Sequence, residues 1–303
     1  MSTLKAQFDS KQAKDLLESQ FGKAENIQML KGGEASQAYS FTLEDRDLIL
    51  RVNHHADYSR EIWAAKHIHN VHIPIPHIYK FGKYEKYFWI VSERAPGGMM
   101  YDLPEKDMKI LLPQMIEILH TVHEIDISSS TGYGIVKHDG NASFKTWRRF
   151  IEDFDIQGDY IDWDNALRRA EPDYKKLIET AWELGYKLIE YLPEVRKMLH
   201  GDYNLANIIT SNGHITGIID WNCVYGDPLR DVAWVDFWAP FLHFSDEYLK
   251  KYPISNANKV LLCYQLFMGA RSLGFFIHTQ QPHKAAYIIE RVDKIINLAN
   301  NEI

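Results

Sequence analysis

The sequence has few of the features that mark secreted, membrane or disulfide-rich proteins. Only two cysteines, Cys223 and Cys263, occur in 303 residues, and neither their spacing nor their context indicates a disulfide scaffold or a metal cluster. No apolar run approaches the ~20 residues that a membrane span needs, and residues 1–20 lack the apolar centre of a signal peptide. We therefore expect a cytoplasmic protein that does not associate with membranes.

An excess of positive charge is also missing, which argues against a nucleic-acid partner. The chain carries 34 Lys and Arg against 41 Asp and Glu, a net charge of -7, whereas phosphate backbones select clustered basic side chains. The acidic excess lies in residues 101–303. Such a surface attracts a cationic ligand, although the excess charge of many cytoplasmic proteins serves only solubility.

The first part of the chain reads as a helix followed by a meander of strands. Asp9 or Ser10 can cap a helix that ends near Gly22. A second helix is predicted for residues 58–70, which contain no Gly or Pro and have helical periodicity. Short apolar runs between turn residues predict five strands, namely IQML, AYSFTL, DLILRV, 77–81 and 87–93.

The clearest break in the sequence is the run Pro96-Gly97-Gly98. Proline and consecutive glycines interrupt regular structure, so we predict two closely packed lobes, 1–95 and 96–303. The second lobe reads as mainly helical, with helices over 103–125, over 161–192 and in the last ~60 residues, a polar loop over 128–145 and one hairpin over 207–220. The predicted fold class is α+β.

The segment HGDYNLAN at 200–207, followed by Asp220 in the sequence IIDW, is the most informative stretch. Asn212-Gly213 lies between NIIT and HITGII, and an Asn-Gly pair between apolar strands is the strongest short-range hairpin signal. If this pair forms the turn, Asn207 faces Ile218 across the hairpin. Asn207 and Asp220 then lie at the same open end of the hairpin, and Asp202 lies five residues before that end.

Two carboxylates, Asp202 and Asp220, and the amide of Asn207 are thereby predicted to lie together. Like charges side by side are costly unless a cation or a substrate proton intervenes. A Mg-nucleotide supplies the cation, because amide and carboxylate oxygens suit Mg²⁺ while a separate Asp can accept a hydroxyl proton. The alternative is two turn-capping Asp residues and an exposed Asn, but the combined pattern favours phosphoryl transfer.

These motifs resemble those of a known superfamily. H-x-D-x4-N matches the catalytic loop of protein kinases, and HGDYNLANII...GIIDWNCVYGDPLRDVAW resembles the aminoglycoside phosphotransferase family. The segments KGGEASQAYSF, LRVNHHAD, IPIPHI and TWRRFI are similar to members that phosphorylate hygromycin B. The resemblance spans nearly the whole chain and implies a protein-kinase-like bilobal fold, Mg²⁺ with ATP or GTP, Asp202 as catalytic base, and Asn207 and Asp220 as metal ligands.

A nucleotide site is predicted in the first lobe. Gly32, Gly33 and Ser36 lie between strands where a phosphate-covering loop belongs, although two glycines alone are typical of an ordinary hairpin turn. Protein kinases use a strand Lys that pairs with a helical Glu, and the matching positions here are Arg51 and Glu61. Arg is a departure from that pattern because its planar fork addresses phosphate differently, which leaves open a degraded, inactive site.

Two further segments have assigned roles. The backbone of Glu93 and Ala95, at the lobe boundary, is where the resemblance implies contact with the adenine edge of the nucleotide. The run Gly226-Asp227-Pro228 could suggest another metal site, but Asp followed by Pro is what an ordinary helix start requires. We interpret Asp227 as structural, and His200 as a brace for the loop that follows it.

The acceptor site is predicted from an acidic, aromatic segment at 152–164 and from the stretch WAPF at 238–241. Carboxylates pair with ammonium groups and flat rings cover sugar faces, so both segments suit a cationic sugar. A solvated acidic helix and core aromatic residues are the alternatives. The candidate acceptor-binding residues are Asp155, Asp159, Asp162, Trp238 and Phe241.

The sequence thus predicts a kinase that phosphorylates a hydroxyl of a small cationic acceptor such as an aminoglycoside. A metabolite kinase acting on choline, homoserine or a thiosugar is the first alternative, and a catalytically inactive nucleotide-binding module is the second. A protein kinase is disfavoured because I-D-W replaces D-F-G and no A-P-E segment follows. We expect a monomer or weak dimer.

Overall fold

The computed structural model describes residues 5–31, 36–55, 57–68, 72–155 and 162–302, without the side chains of 154, 155, 282 and 283. It begins with a capped helix, α1 (Ser10–Phe21). The Asp9 carboxylate accepts a hydrogen bond from Gln12 N–H, and the Gln12 side chain accepts one from Asp9 N–H. This capping box satisfies two backbone donors at the helix start, so the predicted cap at Asp9 is confirmed.

Five antiparallel strands form the N-terminal sheet in the order β1-β2-β3-β5-β4. Alternation along β3 places Leu48, Leu50 and Val52 in the same apolar core as α1, so Arg51 lies on the opposite face of the sheet. The predicted helix and meander are confirmed. The elements are β1 (Glu25–Met29), β2 (Gln37–Leu43), β3 (Arg46–Asn53), α2 (Ser59–His67), β4 (Ile78–Tyr84) and β5 (Tyr87–Glu93).

The rest of the chain is mainly helical. Its helices are α3 (Glu105–His123), α4 (Trp147–Phe150), α5 (Trp163–Arg169), α6 (Pro172–Leu188), α7 (Leu229–Trp238), α8 (Phe244–Lys251), α9 (Ala257–His278) and α10 (Pro282–Glu302). Its strands are β6 (Gly98–Met99), β7 (Gly134–Ile135), β8 (Lys197–Leu199), β9 (Ile208–Ser211), β10 (His214–Ile218) and β11 (Val224–Gly226). They form two three-stranded sheets, β10-β9-β6 and β7-β11-β8.

The expectation of a single hairpin in this part was incomplete. The hairpin β9-β10 is present, but four short strands, β6, β7, β8 and β11, join or accompany it. One of them, β7, lies inside the segment 128–145 that was predicted to be a polar loop. Strands of two or three residues are too short to show a period of two in the sequence.

The described residues form two apolar cores. One joins α1 to the N-terminal sheet. The other is built around α9, which packs on α6, α7 and α10. Among the described helices α9 is long and apolar enough to cross a membrane, but 83% of its most apolar stretch is buried inside the protein. Ala64, Ile68 and Ile73, which precede the proposed boundary after residue 95, belong to this second core. The two cores therefore do not separate at that boundary.

Gly97 allows the chain to pass closely over the hairpin after β5. It has φ +106, and a Cβ atom at this position would lie 1.9 Å from the carbonyl oxygen of Thr210. A side chain is therefore excluded twice, by the backbone conformation and by the neighbouring strand. This close approach lets β6 pair with β9, which joins the end of the N-terminal sheet to the hairpin.

Candidate active site

The β9-β10 hairpin has the predicted turn and an unpredicted bulge. Asn212 and Gly213 have φ 51 and 75, the left-handed values of a tight hairpin turn. The register slips beside Thr216, so Ile218 pairs with Ile208 and not with Asn207 as predicted. The extra residue is held because its hydroxyl, Oγ1, donates to the carbonyl oxygen of Pro96 at 2.6 Å.

Asn207 and Asp220 nevertheless lie at the open end of this hairpin. The N–H of Ile219 donates to the carbonyl oxygen of Asn207 at 3.0 Å, which extends the pairing by one step. Asp220 then turns away from the strand with φ 60. The predicted juxtaposition is therefore present in the structure, with its register corrected by one residue.

Side chains of α7 hold the start of the loop 200–207 by hydrogen bonds to its backbone. The backbone N–H groups of His200 and Gly201 donate to the two carboxylate oxygens of Asp231, at 2.8 and 2.9 Å. Arg230 donates to the carbonyl oxygen of Gly201 at 3.3 Å. Asp231 is fully buried; burial alone would raise its pKa, but His123 and the charge of Arg230 hold that pKa below the usual range. A charged acceptor thus fixes the backbone at the start of the loop.

His200 braces the loop, as the sequence indicated. Its Nδ1 accepts from the N–H of Asp202 at 3.1 Å, so the proton lies on Nε2, which donates to the carbonyl oxygen of Ile219 at 3.1 Å. Burial lowers the pKa of His200 to about 4. A neutral imidazole therefore links Asp202 to the residue that precedes Asp220.

Asp202 is the most heavily hydrogen-bonded carboxylate in this cluster. Its Oδ1 accepts from Trp234 Nε1 at 2.7 Å and from Asn204 Nδ2 at 2.8 Å, while its Oδ2 accepts from Asn207 Nδ2 at 2.9 Å. Burial, together with the charge of Asp220, raises the pKa of Asp202 to about 7, against the lowering effect of these donors. A carboxyl group that exchanges its proton near neutral pH has the property expected of a general base.

Trp234 is a site residue that the sequence reasoning missed. It lies on α7 three residues after Asp231 and four before Trp238, so the three side chains share one helical face. Asp231 holds the loop backbone and Trp234 holds the carboxylate above it. The spacing within RDVAWVDFW was the available signal, but it becomes meaningful only once α7 is known to lie beneath the loop.

Replacing Trp234 with Phe should raise the pKa of Asp202. The substitution keeps an aromatic ring and removes the N–H whose hydrogen bond lowers that pKa. Asp202 would then lose its proton only at higher pH, so the rising limb of a plot of kcat/KM against pH should move to higher pH. Profiles of both proteins at saturating nucleotide measure this shift, with Trp182→Phe on α6 as control. An unchanged or lower midpoint would contradict the role of Trp234.

The donor set at the hairpin fits Mg²⁺. The Asn207 amide nitrogen donates to Asp202, which directs its carbonyl oxygen the other way, and the Asp220 side chain is 46% exposed. The described residues contain no group of three His, Cys, Asp or Glu side chains suited to a metal. Mg²⁺ usually takes one or two protein oxygens and completes its shell with substrate phosphates and water, so these two side chains suffice as protein ligands.

Arg51 connects the two lobes. Its guanidinium forms ion pairs with Glu61 of α2 and with Asp220, and its side chain is only 13% exposed. Burial would lower the pKa of Arg51, but the two carboxylates outweigh it and raise that pKa. Burial and the charge of Asp220 raise the pKa of Glu61 to about 6, although Arg51 acts in the opposite direction. The predicted pairing of Arg51 with Glu61 is present in the structure.

The structure describes only some of the other residues predicted to bind the nucleotide. Gly32 and Gly33 lie outside the described residues, whereas Ser36 is described. At the lobe boundary, Glu93 N–H donates to the carbonyl oxygen of His77 at 2.8 Å, and Ala95 packs against Gly217 of the hairpin. The backbone of Glu93 and Ala95 thus lies between the sheet and the hairpin, and its contact with adenine stays a prediction.

A comparison with protein families agrees with this geometry. A model described as the phosphotransferase enzyme family matches residues 26–252. The chain belongs to this phosphotransferase family. Hygromycin-B 4-O-kinase of Escherichia coli is 28% identical over 284 residues, which are 91% of this chain and 82% of that protein. Aminoglycoside 3'-phosphotransferase of Escherichia coli is 21% identical over 152 residues, 49% of this chain and 51% of that protein.

Solved structures show the same fold in other phosphotransferases. A thermostable mutant of aminoglycoside phosphotransferase APH(4)-Ia, in a ternary complex with AMP-PNP and hygromycin B, matches with a TM-score of 0.83 and 29% identity over 94% of this chain and 97% of that chain. Spectinomycin phosphotransferase matches with a TM-score of 0.64 at 16% identity, over 97% and 98% of the two chains. The predicted fold class, and the prediction of a nucleotide-dependent kinase with a hydroxyl acceptor, are confirmed.

Of the described residues predicted to bind the acceptor, Trp238 lies near Asp202 and Asp162 has no contact with it. Trp238 is half-buried and lies edge-to-face with Trp234, at 5.8 Å between ring centroids, which puts it one ring away from Asp202. Phe241 packs partly buried against the helical core. Asp162 caps α5 by accepting from Asn165 N–H at 3.0 Å, and no contact of the described residues joins it to Asp202. Asp159 and the side chain of Asp155 lie outside the described residues.

Two open clefts of this phosphotransferase lie elsewhere. One, of about 490 Å³, is lined by residues of α7 to α10, including Asp236 and Arg291. The other, of about 460 Å³, lies between α2 and β4, including Trp63 and Lys83. Neither cleft includes Asp202, Asn207 or Asp220, so the choice of candidate active site rests on the chemistry of these side chains and not on the volume of a cleft.

Asp227 has the structural role predicted for it. Its Oδ1 accepts from the N–H of Leu229 at the start of α7, at 3.1 Å, and its Oδ2 accepts from the hydroxyl of Tyr264 at 2.8 Å. Burial raises the pKa of Asp227 to about 6. Asp227 therefore orients α7 against α9, and through α7 it supports Asp231 and Trp234.

Proposed function

We propose that this phosphotransferase transfers the γ-phosphate of a Mg-nucleotide to a hydroxyl of an aminoglycoside, with hygromycin B as the first acceptor to test. The observation that carries the proposal is the position of Asp202, whose Oδ2 accepts from Asn207 Nδ2 at 2.9 Å at the open end of the hairpin, where Asp220 also lies. The acceptor follows from the relatives, because hygromycin-B 4-O-kinase is similar over most of this chain. Such a reaction would confer antibiotic resistance.

In the proposed mechanism Asp202 orients the acceptor and takes its proton. Oδ1 already accepts two hydrogen bonds and Oδ2 accepts one, so Oδ2 retains a lone pair for the attacking hydroxyl. The hydroxyl oxygen bonds to the γ-phosphorus as the bond to the β-phosphate oxygen breaks, and the hydroxyl proton moves to Asp202. The nucleoside diphosphate then leaves. Positioning accounts for much of the rate gain in such transfers.

Charge neutralisation is the second contribution. Asn207 and Asp220 would hold Mg²⁺, which when bound neutralises charge that develops on the phosphate oxygens. Arg51 lies against Asp220, so its guanidinium is held where the phosphates would meet the metal site. The glycine loop 32–36 would cover the phosphates from the first lobe. Trp234 and Trp238 offer rings beside Asp202 on which the acceptor's sugar faces would pack.

A panel of acceptors tests the proposal. Release of nucleoside diphosphate is measured with ATP and with GTP for hygromycin B, other aminoglycosides, choline, homoserine and a thiosugar. We expect kcat/KM for hygromycin B to exceed that for each cellular alcohol by at least about 100-fold, which corresponds to ~2.7 kcal/mol of transition-state binding. The Asp202→Ala protein serves as the blank for contaminating activity.

Other outcomes of the panel would replace the proposal. Turnover of a cellular alcohol with inert aminoglycosides would identify a metabolite kinase. Tight ATP binding without turnover of any acceptor would favour an inactive nucleotide-binding module, with Arg51 marking the loss of catalysis. A cytoplasmic location and a monomeric or weakly dimeric state are part of the proposal, and sedimentation of the purified protein tests the second.

A further inference from the structure

Tyr58 occupies an unusual backbone position between β3 and α2. It has φ 58 and ψ 12, in the left-handed region that bulky side chains rarely adopt. Its side chain is nonetheless only 6% exposed. A strained backbone persists where the surrounding contacts determine the position of the residue. The contacts of the Tyr58 side chain therefore account for this backbone conformation.

The ring and the hydroxyl of Tyr58 touch two different parts of the nucleotide site. The Arg51 guanidinium carbon lies 5.4 Å from the centroid of the ring, within the range of a cation-π contact. The Tyr58 hydroxyl lies 3.2 Å from Ser36 Oγ, where either oxygen can donate. Burial raises the pKa of Tyr58, so the phenol keeps its proton for this contact. One side chain therefore contacts both Arg51 and Ser36.

The Arg51 guanidinium contacts two carboxylates and the Tyr58 ring. Glu61 and Asp220 take the two terminal nitrogens of the guanidinium, and the ring of Tyr58 lies against the group. Because guanidinium is a planar fork, its orientation decides which of its N–H groups can reach a phosphate. A Lys at this position would need no such support. The Tyr58 ring thus supplies the support that an Arg needs at the position where protein kinases have a Lys.

We propose that Tyr58 is a positioning residue of the nucleotide site, which holds Arg51 with its ring and tethers Ser36 with its hydroxyl. This inference rests on the proposed function. With both groups held in place before the nucleotide arrives, less conformational freedom is lost on binding. Ser36 precedes β2 and Arg51 lies on β3, and Tyr58 contacts both.

Two single substitutions and their combination test the tether. Tyr58→Phe keeps the ring and removes the hydroxyl, and Ser36→Ala removes the other end of the contact. A neutral hydrogen bond is worth about 0.5–1.5 kcal/mol, so each variant should raise the Kd for Mg-AMP-PNP and the KM for ATP by about 2- to 10-fold. Since both remove the same contact, the double variant should be no weaker than either single one. The value of kcat should change little.

A third substitution tests the ring. Tyr58→Leu removes both the hydroxyl and the aromatic face, so it should lower kcat as well as nucleotide affinity, because Arg51 loses its support. Tyr79→Leu is the matched control, since the Tyr79 ring, on β4, also lies against an arginine, Arg46, at 5.2 Å. This control should bind nucleotide as the parent protein does.

The inference is overturned if Tyr58→Phe binds AMP-PNP and uses ATP as the parent protein does. It is also overturned if the losses of Tyr58→Phe and Ser36→Ala add in the double variant, because independent effects would mean no shared contact. A fall in melting temperature with unchanged Kd and KM would assign Tyr58 a structural role only. Nucleotide binding is measured without an acceptor, so this result stands even if the proposed acceptor is wrong.

Discussion

Replacing Asp202 with Ala should lower kcat by about 10²- to 10⁴-fold, the usual contribution of a positioned general base. The carboxylate is the group that the attacking hydroxyl would meet, while the metal ligands and Arg51 are unchanged. We therefore expect the Kd for Mg-AMP-PNP to stay within about 2-fold of the parent value, since this substitution removes an interaction made in the transition state and not a nucleotide contact. Steady-state rates with the best acceptor of the panel and calorimetric nucleotide titrations measure the two effects.

Two further variants make this prediction specific. Asp202→Asn keeps the shape of the side chain but offers one acceptor oxygen to the three N–H donors of Trp234, Asn204 and Asn207, so it should be comparably inactive. Asp126→Asn is the control, because this exposed residue only accepts from Ser128 N–H at 2.9 Å. Melting temperatures show whether each variant is folded. An unchanged kcat in folded Asp202→Ala would refute its assignment as the base.

Replacing Asp220 with Ala should make nucleotide binding insensitive to Mg²⁺ and lower kcat by about 10³-fold or more. A bound metal contributes several kcal/mol of charge stabilisation in the transition state, and ~1.4 kcal/mol is tenfold in rate. Removing Asp220 also frees Arg51, which keeps Glu61 as its ion-pair partner. Titrations of AMP-PNP at several Mg²⁺ concentrations, with and without the substitution, separate metal binding from nucleotide binding.

Asp173→Ala is the matched control for this substitution, since Asp173 lies exposed in the first turn of α6. It should show the same Mg²⁺ dependence as the parent protein. If Asp220→Ala retained that dependence as well, Asp220 would not be a metal ligand, and its ion pair with Arg51 would be its main role. Asn207→Ala provides a second test, because it removes the other proposed ligand together with a donor to Asp202.

Much of the first lobe and the hairpin could be predicted because their signals are local. The capping box at Asp9 and Gln12 spans four residues, and the turn at Asn212 and Gly213 requires φ values that Asn and Gly tolerate. The register was wrong by one residue because the bulge at Thr216 depends on the Pro96 carbonyl oxygen. That partner lies far away in sequence, and no local pattern reports it.

The residues that support the site were missed for the same reason. Trp234 is 32 positions from Asp202, and Tyr58 is 22 positions from Ser36. Each has a residue type that is common in protein cores, so composition and periodicity assign it to packing. Their roles became visible only through hydrogen bonds that join separate elements.

The sequence by itself determined which candidate groups come together, because Asp202, Asn207 and Asp220 lie on one short segment whose turn residues bring them together. Only the tertiary structure decided how those groups behave. Burial and the charge of Asp220 set the pKa of Asp202, and Arg51, 169 positions away, reaches Asp220 because two lobes meet there. Local spacing can specify which atoms are adjacent, whereas protonation and charge pairing depend on everything that surrounds them.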